Sequence, residues 1–207
     1  MKGAFPCTEL PRALLCSMEG LATAMAVHDS HTFAHQERVS RLVRELGRSL
    51  ELSAESIAML GWAGYLHDVG KLGVPSALLQ RPDELGPGET LHVRSHAVLG
   101  TQMLRHIGFP DRMCDIVKQH HERLDGSGYP EGLIAPQLSI EARVLAVADV
   151  ADAMLSRRPY RPARELHQVF DALALGSGRL YDAVVVDAAF EVLDARVEEA
   201  LESTPVA

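Results

Sequence analysis

Apolar residues return every third or fourth position along almost the whole chain. They do so at Leu14, Leu15, Met18, Leu21, Ala22 and Met25, and again at Val39, Leu42, Val43 and Leu46, while no stretch alternates as a half-buried strand does. That period confines the chain to an all-α fold. Helices are expected at about 10–28, 31–50, 53–67, 88–106, 110–120, 139–157, 163–175 and 183–202. Ser53 and Ser139 stand where N-caps belong, Pro110 and Pro162 lie near helix starts, and Gly- and Pro-rich stretches at 82–88 and 126–136 read as loops. With 207 residues, 47% of them hydrophobic, the chain can bury the core of one helical domain, and it carries no internal repeat.

Composition removes several classes of function. The three cysteines, Cys7, Cys16 and Cys114, are odd in number and lack a C-x-x-C pair, so a disulfide framework is not expected and a reducing, cytoplasmic setting is. No apolar run reaches the roughly 20 residues that span a bilayer, and Lys2 followed by Pro6 and Pro11 makes a poor signal peptide. A formal charge of -8 argues against coating a nucleic-acid polymer, which requires many phosphates to be neutralised. An anionic small molecule would have to be caught by local charge, from metal ions and a few basic side chains.

The chemistry-bearing residues come in words. The first is His67-Asp68-Val69-Gly70-Lys71, followed by His96, by His120-His121-Glu122-Arg123 with Gly128-Tyr129-Pro130 close behind, and by Asp149; His35 lies upstream. A single histidine on an apolar helix face is ordinarily a hydrogen-bonded core residue, and His96 alone would be read so. The ordered recurrence reverses that reading. Five histidines and two aspartates are about what a pair of divalent ions needs with positions left open for water or substrate. Neighbours in a helix interior diverge by about 100 degrees. His67 and Asp68, and likewise His120 and His121, fall at expected helix ends, where adjacent side chains can converge. His28, His92, His106 and His167 belong to no word and are expected on the surface or beside a ligand. Asp125 reads as a brace for the turn before Gly126, and Asp152 as a partner for a ligand histidine.

From about Asp29 to about Phe190 the order of these words closely resembles the HD-GYP family, a branch of the HD metal-dependent phosphohydrolases. The segments HDVGKLGVP, HHERLDGSGYPEGL, ARVLAVADVADAM and RRPYR carry the likeness. The resemblance implies a helical bundle with a metal site in its interior, spanning 29–207, behind an N-terminal helical extension at 1–28. It implies Asp68 as a carboxylate bridging two ions, His35, His67 and Asp149 on one of them, and His96, His120 and His121 on the other. By the same resemblance Lys71 aids catalysis and contacts a phosphate oxygen, Arg158 and Arg161 bind phosphate, and Tyr129 faces the substrate or shapes its loop. His31 is a candidate additional ligand, four residues before His35. Family members carry a glutamate or a noncoordinating residue there, so a third ion stays open.

The function implied is hydrolysis of cyclic di-GMP to pGpG, with onward cleavage to GMP as an open end point, and iron or manganese as the metal. The residues by themselves reach metal-assisted hydrolysis of a phosphate ester. Two alternatives stand beside it: an inactive cyclic di-GMP sensor or interaction module, whose mark would be lost ligands, and another HD-type enzyme, against which Gly128-Tyr129-Pro130 and Arg158-Pro159-Tyr160-Arg161 speak. About 30 residues precede the matched stretch, so regulatory input is expected from a partner protein, from metal or redox state, or from a portion of a longer chain. The stripe Val186, Phe190, Leu193, Val197 and Leu201 offers either packing within the domain or a homodimer contact.

Overall fold

A computed structural model describes residues 10–81, 83–156 and 163–202. The described residues form ten α-helices: α1 (Arg12–His28), α2 (Ser30–Ser49), α3 (Ala54–Leu66), α4 (Ser76–Leu79), α5 (Pro87–Arg94), α6 (His96–Ile107), α7 (Asp111–Gln119), α8 (Ile140–Leu155), α9 (Leu166–Gly176) and α10 (Ala183–Glu202). Short 3-10 turns lie at Val69–Gly73 and Ala135–Gln137, and no strand occurs among the described residues. Ser53 accepts from Ser56 N and Ser139 from Ala142 N, each capping a helix as the sequence suggests.

α2, α3, α7 and α8 form the heart of the bundle, with α6 against α7 and α9 and α10 against α8. Leu42, Leu46, Leu60, Leu66, Ile116 and Leu145 are among its fully enclosed side chains. The helix α8 is buried nearly all round, through Val144, Leu145, Ala146, Val147, Ala148 and Ala151, as expected of a helix with apolar residues on every face. It carries Asp149 and Asp152 into the interior, where both are buried. Carboxylates held in such a place need partners.

The single helix expected over 88–106 is two, α5 and α6, which meet at Ser95. The Ser95 hydroxyl donates to the His92 carbonyl at 2.6 Å, a local bond that competes with the helical ladder and that apolar spacing does not register. Also unforeseen are the 69–73 turn and α4. α1 packs on α2 and on that turn, where His28 Nε2 donates to the carbonyls of Lys71 and Val74, each at 3.1 Å. Val186 and Leu193 of α10 are buried and Phe190 packs on Phe170 at 4.5 Å, so this part of the apolar stripe is used within the domain. Among the described residues no helix is long and apolar enough to cross a membrane.

Candidate metal centre

Helix ends and one glycine bring the candidate ligands together. α3 stops at Leu66, His67 still has helical angles, and Asp68 (φ −97, ψ 5) turns the chain into the 69–73 turn. That turn lies flat on α6 because residue 70 is glycine. A Cβ there would stand 1.9 Å from the His96 carbonyl oxygen and 2.5 Å from Gly100 N. The close approach sets His96, the first residue of α6, beside Asp68. α7 ends at Gln119 and leaves His120 and His121 at its exit. His35 enters from the middle of α2 and Asp149 from α8.

Three imidazoles are held in the same way. The Nδ1 atoms of His67, His96 and His120 donate to the carbonyls three residues earlier, of Gly64, Val93 and Val117, at 2.8, 2.7 and 2.6 Å. Each Nε2 then faces inward. His35 Nδ1 instead bonds Asp152 Oδ2 at 2.6 Å. Two adjoining groups result, Asp68 with His96, His120 and His121, and His35 with His67 and Asp149, each with one donor atom per residue within 4.8 Å of all the others. Asp68 faces both: Oδ1 lies 3.3 Å from His96 Nε2 and Oδ2 lies 3.5 Å from His67 Nε2. Across the groups, His121 Nδ1 lies 3.8 Å from Asp149 Oδ2.

The donor set suits divalent iron, manganese or zinc. His67 Nε2 and Asp68 Oδ1 are buried without a hydrogen-bond partner, a costly state for polar atoms unless a cation takes them up. Protonation points the same way. Burial pushes the imidazoles of His67, His96, His120 and His121 down, His121 to about 3, so they are neutral with lone pairs to give. Burial pushes the carboxyl of Asp68 up, but the Lys71 ammonium beside it outweighs that and holds the group well below the usual carboxylate range. In Asp149 burial is likewise outweighed, by the hydrogen bond from His35. His35 is the exception: burial lowers it, yet Asp149 and Asp152 raise it to about 9.

Lys71 Nζ donates to Asp68 Oδ2 at 2.5 Å, and its side chain lines an open cleft of about 860 Å³ together with His31, His35, Arg38, Arg81 and Leu78. That volume is in the range of small-molecule sites. His31 is exposed on the cleft wall and belongs to neither ligand group. Tyr129 lies with its ring 4.7 Å from that of His121, under the guanidinium of Arg94 at 4.8 Å. Its hydroxyl is pushed up by burial and by Asp68 and Asp149. Arg158 and Arg161 lie outside the described residues.

Several supporting residues escaped sequence reasoning. Glu122, 2% exposed, accepts from the backbone N–H groups of Glu131 at 2.7 Å and Leu133 at 3.0 Å, fastening the Gly-Tyr-Pro loop to the end of α7. Gly128 makes the seating possible, since a Cβ there would stand 2.4 Å from Glu122 Cα. Arg38 bonds both oxygens of Asp152. Arg38 follows His35 by three, and Asp152 follows Asp149 by three, a spacing that places each on its ligand's helix face. Two others did not escape sequence reasoning: Asp125, read as a brace, accepts from Ser127 N and Oγ in its turn, and Asp152, read as a partner for a ligand histidine, bonds His35.

The profile of the HD domain family matches residues 19–185. The chain is 38% identical over 176 residues to the cyclic di-GMP phosphodiesterase response regulator RpfG of Xanthomonas campestris pv. campestris, covering 83% of this chain and 46% of that protein. It is 36% identical over 183 residues to a cyclic di-GMP phosphodiesterase of Thermotoga maritima, covering 87% and 50%. The chain thus spans about half the length of these curated relatives. Among solved structures, a cyclic GMP-AMP specific phosphodiesterase of V. cholerae superposes with a TM-score of 0.67 at 15% identity, over 92% of this chain and 53% of that one; the likeness is one of fold.

Proposed function

The chain belongs to the HD domain family, and from that premise we propose that it is a metal-dependent phosphodiesterase that opens cyclic di-GMP to pGpG. The observation that carries this reading is the pair of ligand groups meeting at Asp68, beside a cleft lined by His35 of one group and by Lys71, which donates to Asp68. His35, His67 and Asp149 would hold one ion, His96, His120 and His121 the other, and Asp68 would lie between them. Iron or manganese is the proposed metal, from the resemblance to HD-GYP proteins and a donor set compatible with either. Two such ions would supply Lewis acidity toward a phosphate and ease the loss of a proton from water.

The chain's own residues do the rest. Lys71 is tethered to Asp68 and would exchange that bond for a nonbridging phosphate oxygen, placing a positive charge where negative charge develops. Tyr129, fixed by Arg94 and by the Glu122 latch, would form a wall against which the substrate orients. Arg158 and Arg161 are proposed as phosphate contacts on the strength of the motif alone. All seven proposed ligands are present, which favours turnover over a sensor without activity. The free thiols of Cys16 and Cys114 agree with work in the cytoplasm, with a partner protein or further domains supplying regulation.

The test is a substrate panel: protein purified without oxygen, loaded with manganese or iron, and given cyclic di-GMP, cyclic GMP-AMP, and nucleotide mono- and triphosphates, with products separated by chromatography. Consumption of cyclic di-GMP with release of pGpG is expected. Preference for cyclic GMP-AMP would reassign the substrate, and tight binding of cyclic di-GMP without turnover under either metal would make the protein a sensor.

A further inference from the structure

Of the four fully buried or nearly buried ligand histidines, three owe their orientation to backbone carbonyls of their own helix or turn, which side-chain substitution leaves in place. His35 does not. Its Nδ1 is held by Asp152 Oδ2 at 2.6 Å, while its Nε2 points to Asp149 Oδ1 at 3.0 Å, inside the group that also contains His67. Asp152 is itself fixed. Arg38 donates through Nε to Oδ1 at 2.8 Å and through Nη2 to Oδ2 at 3.0 Å, and Ser156 Oγ donates to Oδ2 at 3.0 Å. Arg38 Nη2 and Ser156 Oγ are also bonded, at 2.7 Å, which closes the clamp. A carboxylate fastened at both oxygens gives the imidazole one orientation, and such a partner makes the ring a better ligand.

We propose that Asp152, clamped by Arg38, is a positioning residue that sets the metal affinity of the His35–His67–Asp149 group and leaves that of the Asp68–His96–His120–His121 group unchanged. The inference rests on the proposed metal function and deepens it by making the two ions unequal in what supports them. Asp152 follows Asp149 by three residues on α8, so one helix supplies both a ligand and the residue that aims its neighbour. In the second group His96 and His120 lean on carbonyls instead.

The experiment uses the whole chain, stripped of metal and equilibrated with rising free manganese, reading bound metal per chain by elemental analysis and the Mn(II) spin-resonance spectrum at each step. Wild type is compared with Asp152→Ala and Asp152→Asn, alongside the metal-free melting temperatures. Two bound ions in wild type are expected. In Asp152→Ala one of the two binding steps should move to roughly 10- to 100-fold higher free manganese, the other should stay in place, and the spectrum of an isolated ion should appear where wild type gives the coupled pair. Asp152→Asn, which keeps an oxygen for His35, should shift that step less, and if the alanine variant does not fold a shift confined to one step in Asp152→Asn carries the same meaning. Unchanged binding in both variants overturns the inference and leaves the metal function standing, as does equal weakening of both steps together with a lower metal-free melting temperature. Failure of wild type to bind manganese overturns the metal function itself.

Discussion

At the scale of single residues, the proposed function divides atoms that would face a cation from atoms that would face a substrate. His67 Nε2 and Asp68 Oδ1 belong to the first kind, buried and without hydrogen-bond partners. Lys71 belongs to the second: it shares no ligand group, and its ammonium reaches Asp68 from the cleft. Lys71→Met should therefore leave bound metal per chain unchanged and lower kcat by about 10²–10³, the usual consequence of removing one preorganised donor to developing negative charge. Elemental analysis and steady-state kinetics check both halves, and loss of metal from the variant would contradict the division. Much of this scale was legible in the sequence, because His67-Asp68 and His120-His121 sit where helices end and neighbouring side chains can converge. Glu122 was not legible. Its partners, Glu131 N and Leu133 N, are chosen by the path of a loop, and no spacing rule reports a backbone donor.

At the scale of elements, two close backbone approaches do the assembly, the 69–73 turn on α6 through Gly70 and the Gly-Tyr-Pro loop on the end of α7 through Gly128. The loop is additionally held by Glu122. Glu122→Gln keeps one carbonyl oxygen and puts an amide donor in place of the other, so one half-buried backbone N–H loses its acceptor at a cost of about 0.5–1.5 kcal/mol. The expected result is a lower melting temperature and a raised KM, because the wall proposed for Tyr129 is no longer held in place, with metal content preserved; equal stability and KM would refute the latch. Helix positions followed from apolar period, but the break at Ser95 did not, since apolar spacing does not register it. That break matters for the site. It makes His96 the first residue of α6, with Nδ1 turned back to Val93 and Nε2 turned toward Asp68.

At the scale of the whole molecule, five elements that are distant in sequence supply the two ligand groups: the end of α3, the start of α6 and the end of α7 must close on one another for the first, and α2, the end of α3 and α8 for the second. The core that closes them is ordinary, built from Leu42, Leu60, Ile116 and Leu145. The interior it encloses is not, because five histidines and two aspartates occupy space that apolar side chains would fill more cheaply. This arrangement is proposed to hold two ions acting together on one phosphodiester. The most direct measurement is cyclic di-GMP hydrolysis followed against bound manganese or iron per chain, for wild type and Asp68→Ala. Activity that rises as the second ion binds, with Asp68→Ala failing to hold the pair and failing to turn over, is the expected result. Full activity without metal, or an Asp68→Ala protein that keeps both ions and hydrolyses at the wild-type rate, would contradict it.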